Sequence, residues 1–201
     1  MNAKPVQVKI FVLPGGIMPR RGNDDEDNAG FDVTARGVVS RQFVAERPYE
    51  RELIFDFKKS PECALTDSTP LAGNSYIVLP GKGNTLRMTI HAMLYFGCGF
   101  VLDMPRGMYA LVVSRGSTIA KGLRVNNADS PVDRGFCGEP VMAIHNFSSW
   151  FVEIGPEDLT LGQLIFPGHH QVELIQVSSF GELEGKPRGN GNHGSTDVKK
   201  K

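Results

Sequence analysis

Short runs in which apolar and polar residues alternate are the main pattern along the chain. In Val6–Val12 the valine and isoleucine side chains fall at every second position, which is the spacing of a β-strand with one buried face. Similar runs lie at Leu53–Phe57, Tyr76–Leu79, Leu86–Tyr95, Tyr109–Val113, Val141–His145, Phe151–Ile154, Leu164–Phe166 and Val172–Val177. Gly, Pro and Asn residues separate these runs, so the pattern predicts an all-β sandwich, jelly roll or barrel of antiparallel strands.

One segment predicts a short helix. Ser117–Leu123 lacks the alternation, Ser114 or Ser117 is placed to cap its start, and Gly122 is placed to end it. Three further segments resemble loops or termini, namely Arg20–Asn28, Lys58–Asn74 and Gly181–Lys201.

The domain organisation follows from these segments. We expect one β domain at residues 1–180, followed by a flexible C-terminal tail at residues 181–201. The tail has few bulky apolar residues, so burial cannot offset its loss of conformational entropy. It is either a frayed terminus or a segment that becomes ordered on a ligand.

Composition narrows the class of protein. The chain has 201 residues, with 22 Lys plus Arg and 22 Asp plus Glu, so no bulk charge attracts nucleic acid or an anionic membrane. We therefore expect neither a nucleic-acid nor a membrane partner. The cysteines Cys63, Cys98 and Cys137 form no CxxC pair, which favours thiols in a reducing compartment. The N-terminus is a poor signal peptide and the most apolar region is interrupted by charges, so we expect a cytoplasmic protein.

Five short motifs occur in a fixed order along the chain. They are Ala29–Ala35 (AGFDVTA), Met104–Gly107 continuing to Ser114–Ser117 (MPRG and SRGS), Val132–Glu139 (VDRGFCGE), Gly162–Phe166 (GQLIF) and Arg188–Thr196 (RGNGNHGST). Together they resemble the five motifs of the trimeric dUTPase family, which shares its fold with the dCTP deaminases. Each motif alone is weak, but the ordered set is specific. Residues 40–75 have no obvious counterpart, and we interpret them as an insertion.

The resemblance implies an assembly and an activity. It implies a dUTPase-like jelly-roll or barrel subunit in a homotrimer. Motifs one, two and four would come from one chain, motif three from the next and the tail from the third. The implied activity is a hydrolase, a dUTP diphosphatase that converts dUTP to dUMP and pyrophosphate with Mg2+.

Two carboxylates are candidates for the chemistry. Asp133 lies between Val132 and a turn that contains glycine, where a carboxylate can accept a proton from water. By itself it is more simply a turn-capping Asp; in the third motif the resemblance makes it the base that orients water for attack on the α-phosphorus. By the same resemblance, Asp32 would organise the water shell of the metal and contact the metal through water at most, or it would hold an arginine.

Candidate phosphate-binding residues come from three motifs. Arg115 and Arg188 carry planar guanidinium groups that suit phosphate oxygens. Gly116 and Ser117 lie at the start of the predicted helix, where backbone N–H groups favour anions. Gln163 can donate to a phosphate or to a metal-bound water. Without the motifs, these side chains would be ordinary solvated or strand residues.

Selection of the base and sugar falls to the third motif and the tail. The resemblance places Asn127 beside the pyrimidine and the ring of Phe136 against the deoxyribose, although a single Phe in a β protein is often core. In the tail, His193 stands where the family has a Phe that stacks on the base. Because an imidazole can take up a proton, we expect closure of the tail over the substrate to depend on pH. The remaining tail contacts are assigned to Gly194, Ser195 and Thr196.

Alternative functions remain at this point. A dCTP deaminase of the same fold would need a Glu in the strand after the third motif, where this chain has Ala143. A non-catalytic trimeric nucleotide-binding or regulatory protein is the other alternative, because Gly116, Thr160 and Cys137 depart from the usual pattern. Asp133 favours the enzyme, since a binding protein has no need of the base.

Overall fold

The computed structural model describes residues 4–22, 30–59, 76–78, 84–169 and 171–183. Within these residues the chain forms strands, one α-helix and short 3-10 turns at Pro156–Asp158 and Phe180–Glu182. The strands are β1 (Val6–Val12), β2 (Arg20–Arg21), β3 (Phe31–Thr34), β4 (Gly37–Val44), β5 (Arg47–Phe55), β6 (Tyr76–Val78), β7 (Leu86–Met88), β8 (Met93–Gly97), β9 (Phe100–Asp103), β10 (Tyr109–Ser114), β11 (Leu123–Val125), β12 (Val132–Asp133), β13 (Val141–Asn146), β14 (Val152–Ile154), β15 (Thr160–Ile165) and β16 (Val172–Val177); the helix is α1 (Gly116–Ala120).

Four sheets organise these strands. Two have five strands, in the orders β12-β10-β15-β3-β2 and β11-β13-β8-β4-β5, and two have three, in the orders β16-β1-β9 and β14-β7-β6. Neighbours such as β10 and β15 are distant in sequence, as in a jelly roll and unlike an up-and-down barrel. The predicted all-β class with one short helix is confirmed.

One pairing departs from the antiparallel expectation. β1 pairs with β16 in parallel, from Val6 opposite Val172 to Phe11 opposite Val177. On its other side β1 pairs antiparallel with β9. The first and last described strands therefore lie side by side.

The core lies between the sheets and is built by the alternation seen in the sequence. On β1, Val8 and Ile10 are fully buried while Gln7 and Lys9 are exposed. The main cluster continues through large side chains that share complete or nearly complete burial, including Phe57, Phe96, Phe100, Met104, Met142 and Ile144. Burial of each such side chain stabilises the fold by about 1.5–3 kcal/mol.

The predicted strand Leu86–Tyr95 is in fact two strands. β7 ends at Met88 and β8 begins at Met93, with a turn between them that is closed by a hydrogen bond from the Ala92 N–H to the Thr89 carbonyl. His91 has a φ of 59° in this turn, a conformation that a non-glycine residue adopts uncommonly. Alternation alone did not reveal this break.

The helix is shorter than predicted and its start is different. It spans Gly116–Ala120, and its N-cap residue is Arg115, which makes no side-chain capping bond. Ser114 instead accepts a hydrogen bond on Oγ from the N–H of Val125 at 2.8 Å. Gly122, with a φ of 80°, follows the C-cap, so the predicted stop is confirmed.

Part of the segment 40–75 is described and extends a sheet. β4 and β5 form a hairpin, and β4 pairs with β8 through Gly37 opposite Gly97 and Val38 opposite Phe96. The hairpin therefore lies at one edge of the sheet that contains β13. Residues 60–75 lie outside the described part of the chain.

A smaller apolar cluster lies where the described chain ends. Leu13, Val101, Val177 and Leu183 are buried there, and the ring of Phe180 packs against this cluster. Among the described residues, no helix has the length and apolar character to cross a membrane.

Candidate active site

Three of the motifs meet on one sheet. β15 lies between β10 and β3, and its Gln163 is opposite Val113 on β10 and Asp32 on β3. Arg115 follows the end of β10. Directly opposed side chains project from the same face of a sheet, so the first, second and fourth motifs contribute to one surface.

The centre of this surface is the Asp32 carboxylate. Its Oδ2 lies 3.0 Å from Nη2 of Arg115, and its Oδ1 accepts a hydrogen bond from Nε2 of Gln163 at 3.2 Å. Arg115 also donates through Nη1 to the Thr160 carbonyl at 3.2 Å. The Arg115 and Asp32 side chains remain 30% and 21% exposed. The arginine is thus held in one orientation while part of it stays accessible to an anion.

Thr160, which stands at a usual arginine position, has a local role. Its Oγ1 lies 3.0 Å from Oγ1 of Thr34, across the pairing of β15 with β3. The pairing register shifts between Thr160 and Gly162, which is a bulge of the kind that redirects side chains near functional sites. A hydroxyl pair therefore links β15 to β3 at this point.

The short helix places Gly116 and Ser117 beside Arg115. Both residues are exposed. Thr118 is buried and donates through Oγ1 to the Leu161 carbonyl at 2.7 Å, which fixes the helix against β15. The two predicted phosphate-binding positions therefore lie next to the Asp32–Arg115–Gln163 group and face solvent.

Asp133 lies elsewhere on the same sheet. It ends β12, is half-buried and is opposite Tyr109, the first residue of β10. Its carbonyl accepts a hydrogen bond from the Phe136 N–H at 3.0 Å, which closes the turn of the third motif. Arg134 donates through Nε to the Met104 carbonyl at 3.0 Å, so the turn is also attached to the second motif.

One chain does not bring Asp133 to the phosphate-binding group. Asp133 is in register with the start of β10, whereas Arg115 follows its end. With about 3.3 Å per residue along a strand and about 4.8 Å between strands, Asp133 lies roughly 15–20 Å from Gln163 and Arg115. Within one chain, Asp133 is therefore separate from the Asp32–Arg115–Gln163 group.

Asn127 is bound to the backbone of β13. Its Nδ2 donates to the Val141 carbonyl at 2.9 Å, and its Oδ1 accepts from the Ala143 N–H at 2.8 Å. The side-chain amide of Asn127 thus bonds to the β13 backbone just beyond the last backbone pair of β11 with β13, which is Val125 opposite Ile144. In this arrangement Asn127 fixes the start of the third-motif loop.

Phe136 is half-buried beside Gly138, and Ala143 is buried in β13 opposite Tyr95. A methyl group at position 143 cannot serve as the base of a deaminase. The tail residues assigned from the sequence, Arg188, His193, Gly194, Ser195 and Thr196, lie outside the described residues, as does Ala29.

The described residues contain no group of three or more His, Cys, Asp or Glu side chains placed to hold a metal. Asp32 is already engaged on both oxygens by Arg115 and Gln163, so it does not fit as a direct ligand. Mg2+ commonly retains waters and binds substrate phosphates with few protein ligands. A metal at this surface would therefore need ligands other than the Asp32 carboxylate.

A buried ionic cluster was missed by the sequence analysis. Glu139, fully buried at the end of the third motif, receives a two-pronged contact from Arg36, with Nε to Oε1 and Nη2 to Oε2 both at 2.8 Å. Its carboxylate also accepts from the N–H groups of Gly99 at 2.9 Å and Arg51 at 3.1 Å. Burial opposes the charge of Arg36, but its bonds to Glu139 raise the pKa of the guanidinium above its ordinary value. The position of Glu139 in the third motif was the only signal in the sequence.

The sheets and the grouped motif residues define a β-rich subunit with a polar, partly exposed site on one sheet. No protein-family model matches the chain. Over 101 residues the chain is 34% identical to deoxyuridine 5'-triphosphate nucleotidohydrolase of Mycobacterium leprae and 33% identical to that of Mycobacterium tuberculosis, in each case covering 49% of this chain and 66% of the relative. The chain thus spans just under two thirds of the length of these curated relatives. The matches confirm the resemblance to the dUTPase family that the motifs indicated.

Solved structures of similar proteins are also dUTPases. The enzyme of EIAV aligns with a TM-score of 0.47 at 13% identity, covering 83% of this chain and 92% of that one. The enzyme of Streptococcus mutans aligns with a TM-score of 0.48 at 13% identity, covering 83% and 98%.

Proposed function

We propose that the protein is a dUTP diphosphatase that hydrolyses dUTP to dUMP and pyrophosphate. The observation that carries this proposal is the Asp32–Arg115–Gln163 group, in which side chains of three motifs form one oriented, partly exposed site. The mycobacterial relatives are nucleotidohydrolases of deoxyuridine 5'-triphosphate, which supports the same reaction.

Homotrimer formation is part of this proposal. Asp133 is opposite the start of β10 and Arg115 follows its end, so the two are separated in one chain by the length of that strand, yet the reaction needs both at the same α-phosphorus. A neighbouring copy would supply Asp133 to the Arg115 surface, and the tail of a third copy, with Arg188 and His193, would complete the site. A monomer would hold only half of the required groups.

The residues have separate tasks in this reaction. Arg115, oriented by Asp32, binds phosphate oxygens through a planar fork, and Gln163 and Ser117 are placed beside it to donate further hydrogen bonds. Asp133 accepts a proton from the attacking water and orients it toward the α-phosphorus. Mg2+ carried by the triphosphate would neutralise phosphate charge. Phe136 excludes a 2′-hydroxyl, and Asn127 holds the loop that reads the base.

Deamination of dCTP is disfavoured by a particular position. Ala143 replaces the carboxylate that would activate water, and it is buried with its N–H bound to Asn127. An assay of turnover and binding with dUTP distinguishes the enzyme from the alternative of a non-catalytic nucleotide-binding protein. The free thiol of Cys98 supports a cytoplasmic location.

The test is an incubation of the full chain with Mg2+ and each common deoxynucleoside triphosphate, followed by identification of the products. We expect dUMP and pyrophosphate from dUTP. Asp133→Asn is expected to lower turnover by at least about 100-fold while binding of dUTP persists. Asp129→Asn, an exposed carboxylate of the same loop, is the matched control and should leave turnover unchanged. Binding without turnover in the unmodified chain would favour the non-catalytic alternative.

A further inference from the structure

We propose that the β4–β5 hairpin is the positioning element of the third-motif turn, with Phe43 as a positioning residue that holds the ring of Phe136. This inference rests on the proposed function, because it assigns Phe136 to the sugar. It gives residues 40–55, which have no counterpart in the family pattern, a role in substrate selection.

Gly138 lies next to two aromatic rings. A Cβ atom at this position would lie 2.8 Å from both Cε1 and Cζ of Phe43 and 2.9 Å from Cζ of Phe136. Two aromatic rings, one from the hairpin and one from the motif, therefore close on the same glycine backbone. Both rings are partly buried, and the Phe43 ring occupies space next to Gly138, so it limits movement of Phe136 in that direction.

Phe43 is itself held in place. The Arg51 guanidinium carbon lies 4.4 Å from the centre of the Phe43 ring, a cation–π distance. Arg51 is fixed in turn by Nε donating to the Glu139 carbonyl at 2.9 Å and Nη1 donating to the Arg41 carbonyl at 2.8 Å. The ring that backs Phe136 is thus set by both strands of the hairpin.

The far end of the turn is attached to the same hairpin. The Glu139 N–H donates to the Tyr49 carbonyl at 2.8 Å, and the Glu139 carboxylate binds Arg36 and the Arg51 N–H. The near end of the turn, at Asp133, is held instead by the pairing of β12 with β10. The hairpin therefore controls the Phe136 end of the turn and leaves the Asp133 end to another sheet.

This division predicts a specific kinetic effect. Removal of the Phe43 ring lets Phe136 shift, so sugar discrimination and substrate binding weaken, while Asp133 keeps its place and turnover changes little. Small displacements of positioning groups are enough to alter such preferences.

The experiment compares Phe43→Ala with Tyr49→Ala. Tyr49 is an aromatic residue of the same hairpin, but its ring stacks on Phe180 with centroids 4.0 Å apart. For each protein, kcat and KM are measured with dUTP and with UTP. We expect Phe43→Ala to lower the preference for dUTP over UTP by about tenfold, mainly through KM, and Tyr49→Ala to keep the preference of the unmodified chain. Phe43→Leu, which retains apolar bulk, should restore part of the preference.

The outcomes separate this inference from the proposed function. Unchanged discrimination in Phe43→Ala, in a chain that hydrolyses dUTP, overturns the positioning role and leaves the function standing. An equal loss of the preference for dUTP in Phe43→Ala and Tyr49→Ala also overturns the positioning role, since it would show a general loosening of the hairpin. A loss that is confined to kcat overturns the role as well. If Phe43→Ala is too unstable to assay, Phe43→Leu is compared with Tyr49→Ala in its place. A lower preference for dUTP over UTP in Phe43→Leu alone supports the positioning role, and equal preferences overturn it. Absence of dUTP hydrolysis in the unmodified chain removes both proposals.

Discussion

Two arginine–carboxylate pairs in this molecule share their chemistry and differ in their surroundings. Arg115 and Asp32 are 3.0 Å apart with side chains 30% and 21% exposed, whereas Arg36 and Glu139 are 2.8 Å apart with side chains 3% and 0% exposed. The first pair leaves part of a guanidinium open to solvent beside the inner strands of a sheet. The second is surrounded by backbone donors and has no access to a ligand.

The difference in exposure between the two pairs indicates which pair suits ligand binding and which suits stabilisation of the fold. Breaking a buried pair leaves an uncompensated charge inside the protein, which is costly. An exposed pair contributes little to stability, so its geometry is available for recognition. The Asp32–Arg115 pair therefore suits substrate binding, and the Arg36–Glu139 pair suits fixing the third-motif turn and the hairpin to each other.

The largest effect is expected at the buried pair. Glu139→Gln should lower the free energy of unfolding by about 3–5 kcal/mol, because Arg36 would remain buried without its carboxylate. Chemical denaturation measures this change. Glu153→Gln removes the partner of Arg87 in an exposed pair at 2.7 Å and should change the free energy of unfolding by less than about 1 kcal/mol. Equal effects of the two substitutions would contradict the comparison.

A second prediction concerns the exposed pair. Asp32→Asn keeps the size of the side chain and removes its charge, so the orientation of Arg115 is lost while folding is nearly preserved. We expect kcat/KM for dUTP to fall by about 10- to 100-fold and the free energy of unfolding to change by less than about 1 kcal/mol. A large loss of stability with normal kinetics would reverse the roles of the two pairs.

The smallest effect is expected at a third pair, Lys121 with Asp158, at the end of α1. Burial favours the neutral acid, but hydrogen bonds from Lys121 and from the Gly155 N–H lower the pKa of Asp158 below its ordinary 3.8. The unfolded chain therefore binds the proton more readily. The stability from this group is fully present above pH 3.8 and is lost as the pH falls through the lower folded value.

Thermal unfolding of the unmodified chain and Asp158→Asn across acidic pH tests this sign. The difference in Tm should be present near neutral pH and should shrink as the solution becomes strongly acidic. A difference that grows on acidification would contradict the lowered pKa.

The sequence predicted best those strands whose pattern is set by neighbouring residues. Alternation predicted β1 and β16 because their buried positions are apolar at every second residue. It missed β4, where Ser40, Arg41 and Gln42 interrupt the apolar pattern and the last two of these are exposed. It also joined β7 to β8, since a turn at His91 has no Gly or Pro to mark it.

The motifs bring Asp32, Arg115 and Gln163 into contact in the structure. Their roles toward a substrate or a metal stay predictions. The burial of Arg36 and Glu139 could not be predicted, because a charged side chain becomes structural only through partners far away in the sequence. The roles of His193 and the other tail residues stay predictions.

The parallel pairing of β1 with β16 has a consequence for how the chain acquires its structure. During synthesis β1 can pair with β9 once that strand emerges, but its other edge stays open until almost the whole domain has been made. Closing contacts across such a span costs loop entropy and slows folding. An unpaired strand edge also attracts other chains, so a nascent chain that stalls before Val172 would expose an edge of β1 that favours aggregation.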